Sequence, residues 1–329
     1  MNDVSSTPQE HAQNSDRIGV GIALMVISIG VFTTMDAIIK HIGQSGYHTA
    51  QIIFFRNIFA FIPLLYLISR QGGLSALKTR RPGGHFMRTV YGLTAMSAFF
   101  YGYKTLPLAD AISISFAAPL FMTALSVPML GEKVGIRRWI AVLVGFVGVL
   151  IMVRPSANMD PTSLIMLGGT VFFALAMIAV RKLSSTESSA SIVFYFTFIG
   201  SLLFGAMMPW VWKTPDLTDF AILASIGVIG GIAQILMTNA VKAAPIAILA
   251  PFEYTALLWA TGFDIIIWSV FPSSYTLIGA AILVATGLYI LHRETRRGSR
   301  AKFPARFSRI RVSMGERKQG ERKQDEPKS

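Results

Sequence analysis

The sequence predicts an all-α membrane protein: ten transmembrane helices arranged as two five-helix repeats of inverted topology. Three observations predict it. Hydrophobic residues make up 53% of the 329 positions and charged residues only 14%, with a mean hydropathy of +0.54. A soluble chain carries about 25% charged residues, so this one cannot cover a water-facing surface. Ten apolar segments are each long enough to cross about 30 Å of hydrocarbon as a helix. Finally, the chain repeats itself: Phe32–Lys40 (FTTMDAIIK) matches Phe173–Arg181 (FALAMIAVR), and Ala109–Gly148 resembles Ala244–Gly287.

Residues 1–17 are polar and lack the basic start of a signal peptide, so the first apolar stretch is expected to stay as a helix behind a short cytoplasmic tail. The spans of the first repeat (18–153) fall at 18–41, 48–69, 87–106, 109–130 and 137–153. Those of the second (162–292) fall at 162–182, 189–211, 218–241, 245–268 and 274–292. Five spans per repeat is an odd number, so the second copy enters from the opposite face.

Short loops let Lys and Arg set the orientation. Eleven basic residues fall on one side, among them Arg70, Lys78, Arg80, Arg81 and, at the edge of span 3, Arg88; Lys104, Arg154 and Lys213 fall on the other. Both termini are therefore expected in the cytoplasm. The tail 293–329 agrees: His292–Ser329 hold thirteen basic residues against five acids, with no sustained apolar run, and read as disordered. The net charge of +13 thus belongs largely to loops and tail and implies no nucleic-acid partner.

An ionisable group at a helix centre costs roughly 2.5–3.5 kcal/mol on insertion scales, which makes each one a functional candidate. Asp36, Lys40, Arg56, Glu253 and Asp264 are these groups. Asp36 and Arg56 lie at matched depths, roughly 9 and 12 Å in, and suggest an ion pair across the first hairpin, structural or coupling in role. Lys40, one turn further out, is expected to snorkel to the surface. Asp264 shares the Asp36–Arg56 layer. Glu253 falls near the bilayer midplane, either as a substrate or proton site or as a packing contact with Gln234. Tyr91, Tyr254 and Trp259, with Ser113, supply flat faces and hydroxyls for a heteroaromatic ligand. Gly227 and Gly231 form a GxxxG step that permits close helix contact.

Enzyme chemistry finds little footing. No Cys, HExxH, GxSxG or nucleotide-binding loop is present, and the five His fall in tails or near span ends. No metal, cofactor or catalytic residue is expected. Any pumping is then secondary, with the bilayer and a small molecule as partners. A homodimer and a membrane-embedded scaffold or sensor stay open.

The stretch Leu106–Arg138 (LPLADAISISFAAPLFMTALSVPMLGEKVGIRR) resembles the drug/metabolite transporter superfamily with paired EamA-type domains, on Pro119, Gly131 and Glu132; Ala250–Trp259 (APFEYTALLW) looks like its second-half equivalent. The second copy has no Gly-Glu signature, its position falling near Val270. The resemblance covers 18–292 and implies a transporter of small organic metabolites in the bacterial inner membrane. With Phe54–Leu64 (FFRNIFAFIPL) it looks most like riboflavin or S-adenosylmethionine uptake branches. Riboflavin uptake is the first expectation, with S-adenosylmethionine uptake or amino-acid or metabolite export as alternatives.

Overall fold

The computed structural model describes residues 8–130, 136–153, 160–244, 246–249, 252–253 and 255–298. Tyr254, Gly131, Glu132 and the tail beyond 298 lie outside them. The described residues are helical throughout, joined by short turns. The helices are α1 (Pro8–Gln44), α2 (Thr49–Arg70), α3 (Pro82–Thr105), α4 (Leu108–Ser115), α5 (Ala118–Leu130), α6 (Ile136–Val153), α7 (Pro161–Leu183), α8 (Ser189–Val211), α9 (Leu217–Ala243), α10 (Ile246–Leu249), α11 (Thr255–Trp268) and α12 (Ser274–Gly298). Residues to Leu291 form one compact body; His292–Ser329 are a second unit, described only where they end α12.

Local chemistry sets the helix boundaries. The Asp160 side chain accepts from the Thr162 N–H at 2.8 Å ahead of Pro161, Ser188 from Ser191 N–H at 2.9 Å, and Asp216 from Asp219 N–H at 2.7 Å. Each satisfies an N-terminal donor that the helix leaves unpaired. The side-chain and then the backbone hydrogen bond from Thr162 hold the Asp160 carboxyl below the usual carboxylate range. Pro82 starts α3 at a position where a missing N–H costs nothing.

Among the described residues, five helical stretches are long and apolar enough to cross a membrane: Ile18–Gln44, Thr49–Arg70, Pro161–Leu183, Ser189–Val211 and Leu217–Ala243. The expected fourth and ninth spans are each broken. α4 stops at Ser115 and α5 starts at Ala118, with Pro119 second in the new helix. In the other half, α10 stops at Leu249 and α11 starts at Thr255, whose hydroxyl donates to the Phe252 carbonyl at 2.7 Å.

Packing follows a pattern that survives exchange of the two halves. α1 lies along α9, as α3 lies along α7; α2 crosses α9, as α8 crosses α3; α1 meets α11, as α7 meets α5. α2 and α8, equivalent to each other, pack together. The GxxxG step on α9 works as expected. A Cβ on Gly231 would stand 2.7 Å from Pro63 Cγ and 3.0 Å from Ala60 Cα, and one on Gly227 would collide with Phe59. Only glycine lets α2 come this close. Large apolar side chains left exposed, such as Leu143, Val147, Leu258 and Ile266, suit a hydrocarbon surround.

Candidate functional site: a cavity between the two halves

A cavity of about 180 Å³ lies among α1, α2, α3, α7, α8 and α9, and both helix breaks reach it through Ser115, Phe116 and Glu253. Its wall is mainly aromatic and thioether, including Phe99, Phe173, Phe196, Met25 and Met177. Its polar groups include Asp36, Arg56, Arg88, Tyr103, Gln234 and Glu253.

Arg56 and Arg88 are 2% and 3% exposed, and neither has a carboxylate within ion-pair distance among the described residues. Arg56 is held by neutral acceptors: Nη1 donates to Asn57 Oδ1 at 3.1 Å, and Nη2 to the Gly230 carbonyl at 3.3 Å and Gln234 Oε1 at 3.5 Å. Its Nε has no partner, and neither do Nε and Nη1 of Arg88. Both guanidiniums face the Phe196 ring, Arg88 with Cζ 3.6 Å from the centroid and Arg56 at 5.3 Å. Oε1 of Glu253 is likewise buried without a partner. Asp36 faces the Tyr103 hydroxyl. Guanidinium and carboxyl groups with unused hydrogen-bonding atoms therefore face one cavity. Buried charge is tolerated only when something neutralises it, so the arrangement suits a ligand that carries charge itself.

One turn beyond Asp36 on α1, Lys40 Nζ meets Asp264 Oδ1 at 2.7 Å and lies 4.1 Å over the Trp268 ring. Oδ2 of Asp264 accepts the Ala109 N–H at 2.7 Å, at the start of α4. This cluster ties α1, α4 and α11 together.

The comparisons with known proteins fit this architecture. The EamA-like transporter family model matches residues 19–154 and again 161–292, one copy per half. The chain belongs to the EamA-like transporter family. It is a membrane transporter, and the superfamily resemblance read from the sequence holds. Within the family it is similar to an S-adenosylmethionine uptake transporter of Rickettsia bellii, 30% identical over 84% of this chain and 95% of the relative. It is also similar to a pseudopaline exporter of Pseudomonas aeruginosa, 28% identical over 82% and 95%. A protein of known crystal structure shares the fold with a TM-score of 0.65, at 18% identity, over 84% of this chain and 99% of that one.

Several sequence expectations for this EamA-like site change. Asp36 does not pair with Arg56, because α1 packs along α9 and α3 rather than along its chain neighbour α2. Lys40 does not snorkel; Asp264 holds it inside. Gln234 lines the cavity with Glu253, but its hydrogen bonds go to Arg56 and Thr238. Trp259 is half exposed and its indole packs beside Gly30 instead of lining the cavity. Tyr91 rests on Phe172, and the Ser113 hydroxyl is used by the Ala109 carbonyl at 2.6 Å, so neither lines the cavity. Arg88 was counted with the loop. α3 begins at Pro82, which puts Arg88 almost two turns inside the helix; a proline at the first helical position was the signal for it.

Proposed function

We propose that this protein is a secondary carrier that takes up a charged, amino-acid-bearing metabolite of the S-adenosylmethionine type across the bacterial inner membrane. The observation that carries the reading is a pair of guanidiniums, neither paired with a carboxylate among the described residues, facing the same cavity as Glu253, whose Oε1 has no hydrogen-bond partner. S-adenosylmethionine has a carboxylate, an ammonium, a sulfonium and a flat adenine ring, so it offers a counter-charge to each wall and a face to the phenyl groups. Riboflavin has a flat ring but no ionised group at neutral pH, and would leave both arginines and Glu253 unmatched. The names of the relatives favour the same order.

The halves are read as inverted repeats, ten spans in all, with α4–α5 and α10–α11 as the matching broken spans. Breaks at corresponding places in the two halves are where carriers of this architecture hold their substrate. The loop charges put both termini in the cytoplasm, and hence the Lys40–Asp264 cluster at the outer end. A pseudopaline exporter among the relatives keeps export as the second reading.

The test is uptake of radiolabelled S-adenosylmethionine by proteoliposomes holding the purified chain, with labelled riboflavin in parallel. Saturable S-adenosylmethionine uptake without riboflavin uptake is expected. Riboflavin uptake alone would reverse the assignment, and loss of preloaded S-adenosylmethionine with no uptake would favour export.

A further inference from the structure

The two signs of charge lie on separate walls. Arg56, Arg88 and Phe196 stand on α2, α3 and α8, whereas Glu253 stands at the break before α11. We propose that Arg88, supported by Arg56 across the Phe196 ring, is the subsite that receives the substrate's carboxylate, and so selects amino-acid-bearing cations over the corresponding amines. This deepens the uptake reading above and rests on it for the choice of substrate.

Arg88 is fitted for the role in three ways. Its guanidinium is fixed by its face, through the 3.6 Å contact with Phe196, which orients the plane without using any N–H. Nε and Nη1 have no partner, so the guanidinium keeps N–H groups to donate to an incoming carboxylate. The space in front of it is kept open by Gly92, one turn along α3 and itself on the cavity wall. A Cβ there would stand 2.8 Å from Arg88 Nη1 and 2.9 Å from Phe196 Cε2.

Arg56 plays a different part. Asn57, Gly230 and Gln234 hold its two terminal nitrogens, so it supplies fixed positive charge and one remaining N–H rather than a free fork. Two buried cations against one ring are costly while the site is empty, and an incoming carboxylate relieves both. At the break before α11, Glu253 is left to face the ammonium or sulfonium end.

The experiment compares S-adenosylmethionine with its decarboxylated analogue as competitors of labelled S-adenosylmethionine uptake in proteoliposomes. Wild type should favour the carboxylate-bearing compound by roughly 10–100-fold, the range of a hydrogen bond to a charged group. Arg88→Gln should bring that ratio close to one, and Arg88→Lys should keep part of it through a single contact. Gly92→Ala, which keeps the charge but fills the space before it, should also narrow the ratio. A wild type without the preference, or an Arg88→Gln variant that weakens both competitors equally, would overturn the proposal. If wild type takes up no S-adenosylmethionine, the uptake reading fails on its own. The subsite is then judged by thermal stabilisation of the detergent-solubilised chain with L-methionine against L-methioninamide. Stabilisation by methionine that Arg88→Gln abolishes would support the subsite, and equal or absent stabilisation by the two would overturn it.

Discussion

Lys40 and Asp264 should be worth far more together than apart. Their side chains are 8% and 0% exposed with the nitrogen 2.7 Å from the oxygen, so neither charge has water to fall back on. Removing one partner of such a pair costs about 3–5 kcal/mol. Lys40→Met and Asp264→Asn, made singly, should each reach that range. Made together they leave no charge, and the new amide can still accept the Ala109 N–H that Asp264 Oδ2 now takes at 2.7 Å. What is then lost is an amide N–H2 facing apolar neighbours, roughly 1–3 kcal/mol. The double variant should therefore recover about 3 kcal/mol or more against the sum of the singles, at the upper end for residues in contact. For a chain of this size that recovery is roughly 4 °C or more in Tm. Thermal unfolding in detergent, followed by Trp fluorescence, reads it, and Trp268 beneath Lys40 is a local reporter. Additive effects within about 0.5 kcal/mol would refute the buried pair, as would a Lys40→Met cost under about 1 kcal/mol, the value of an exposed bridge.

Glu253→Gln should lower S-adenosylmethionine uptake by about tenfold or more while leaving the protein folded, since the lost group has a charge-matching role and an Oε1 with no partner to strand; unchanged uptake kinetics would reduce Glu253 to a packing residue. Gly231→Ala should destabilise by about 1–3 kcal/mol because α2 would have to move away from Pro63 and Ala60, whereas Gly168→Ala, with open space around it, should be neutral or slightly stabilising in the same melt. Trp259→Ala and Tyr91→Ala, outside the cavity wall, should leave the apparent affinity within about twofold; a larger loss in transport assays would return them to the site. Reporter fusions after Ser329 and within 155–160 should report opposite sides of the membrane, and agreement between them would break the ten-span topology.

Much of this molecule was legible in one dimension because the governing quantities are local. A segment is apolar enough to enter hydrocarbon by its own composition, and Asp160, Ser188 and Asp216 mark helix starts through atoms a few residues away. The GxxxG step on α9 and the internal repeat are likewise written along the chain.

What the chain could not show by itself is which helices become neighbours. Asp36 and Arg56 match in depth, yet depth is one coordinate of three, and α1 turns its acid toward Tyr103 on α3 while α2 turns Arg56 toward α9. Lys40 finds Asp264 across 224 positions of sequence, a pairing invisible to any helical period. Arg88 became a site residue only once α3 was seen to begin at Pro82 and to set that side chain against Phe196 of α8. In a bilayer every helix is already apolar enough to be stable alone, so association is selected by small residues, aromatic faces and the need to neutralise each buried charge. Those demands are met between helices far apart in sequence, and the tertiary structure alone decided them.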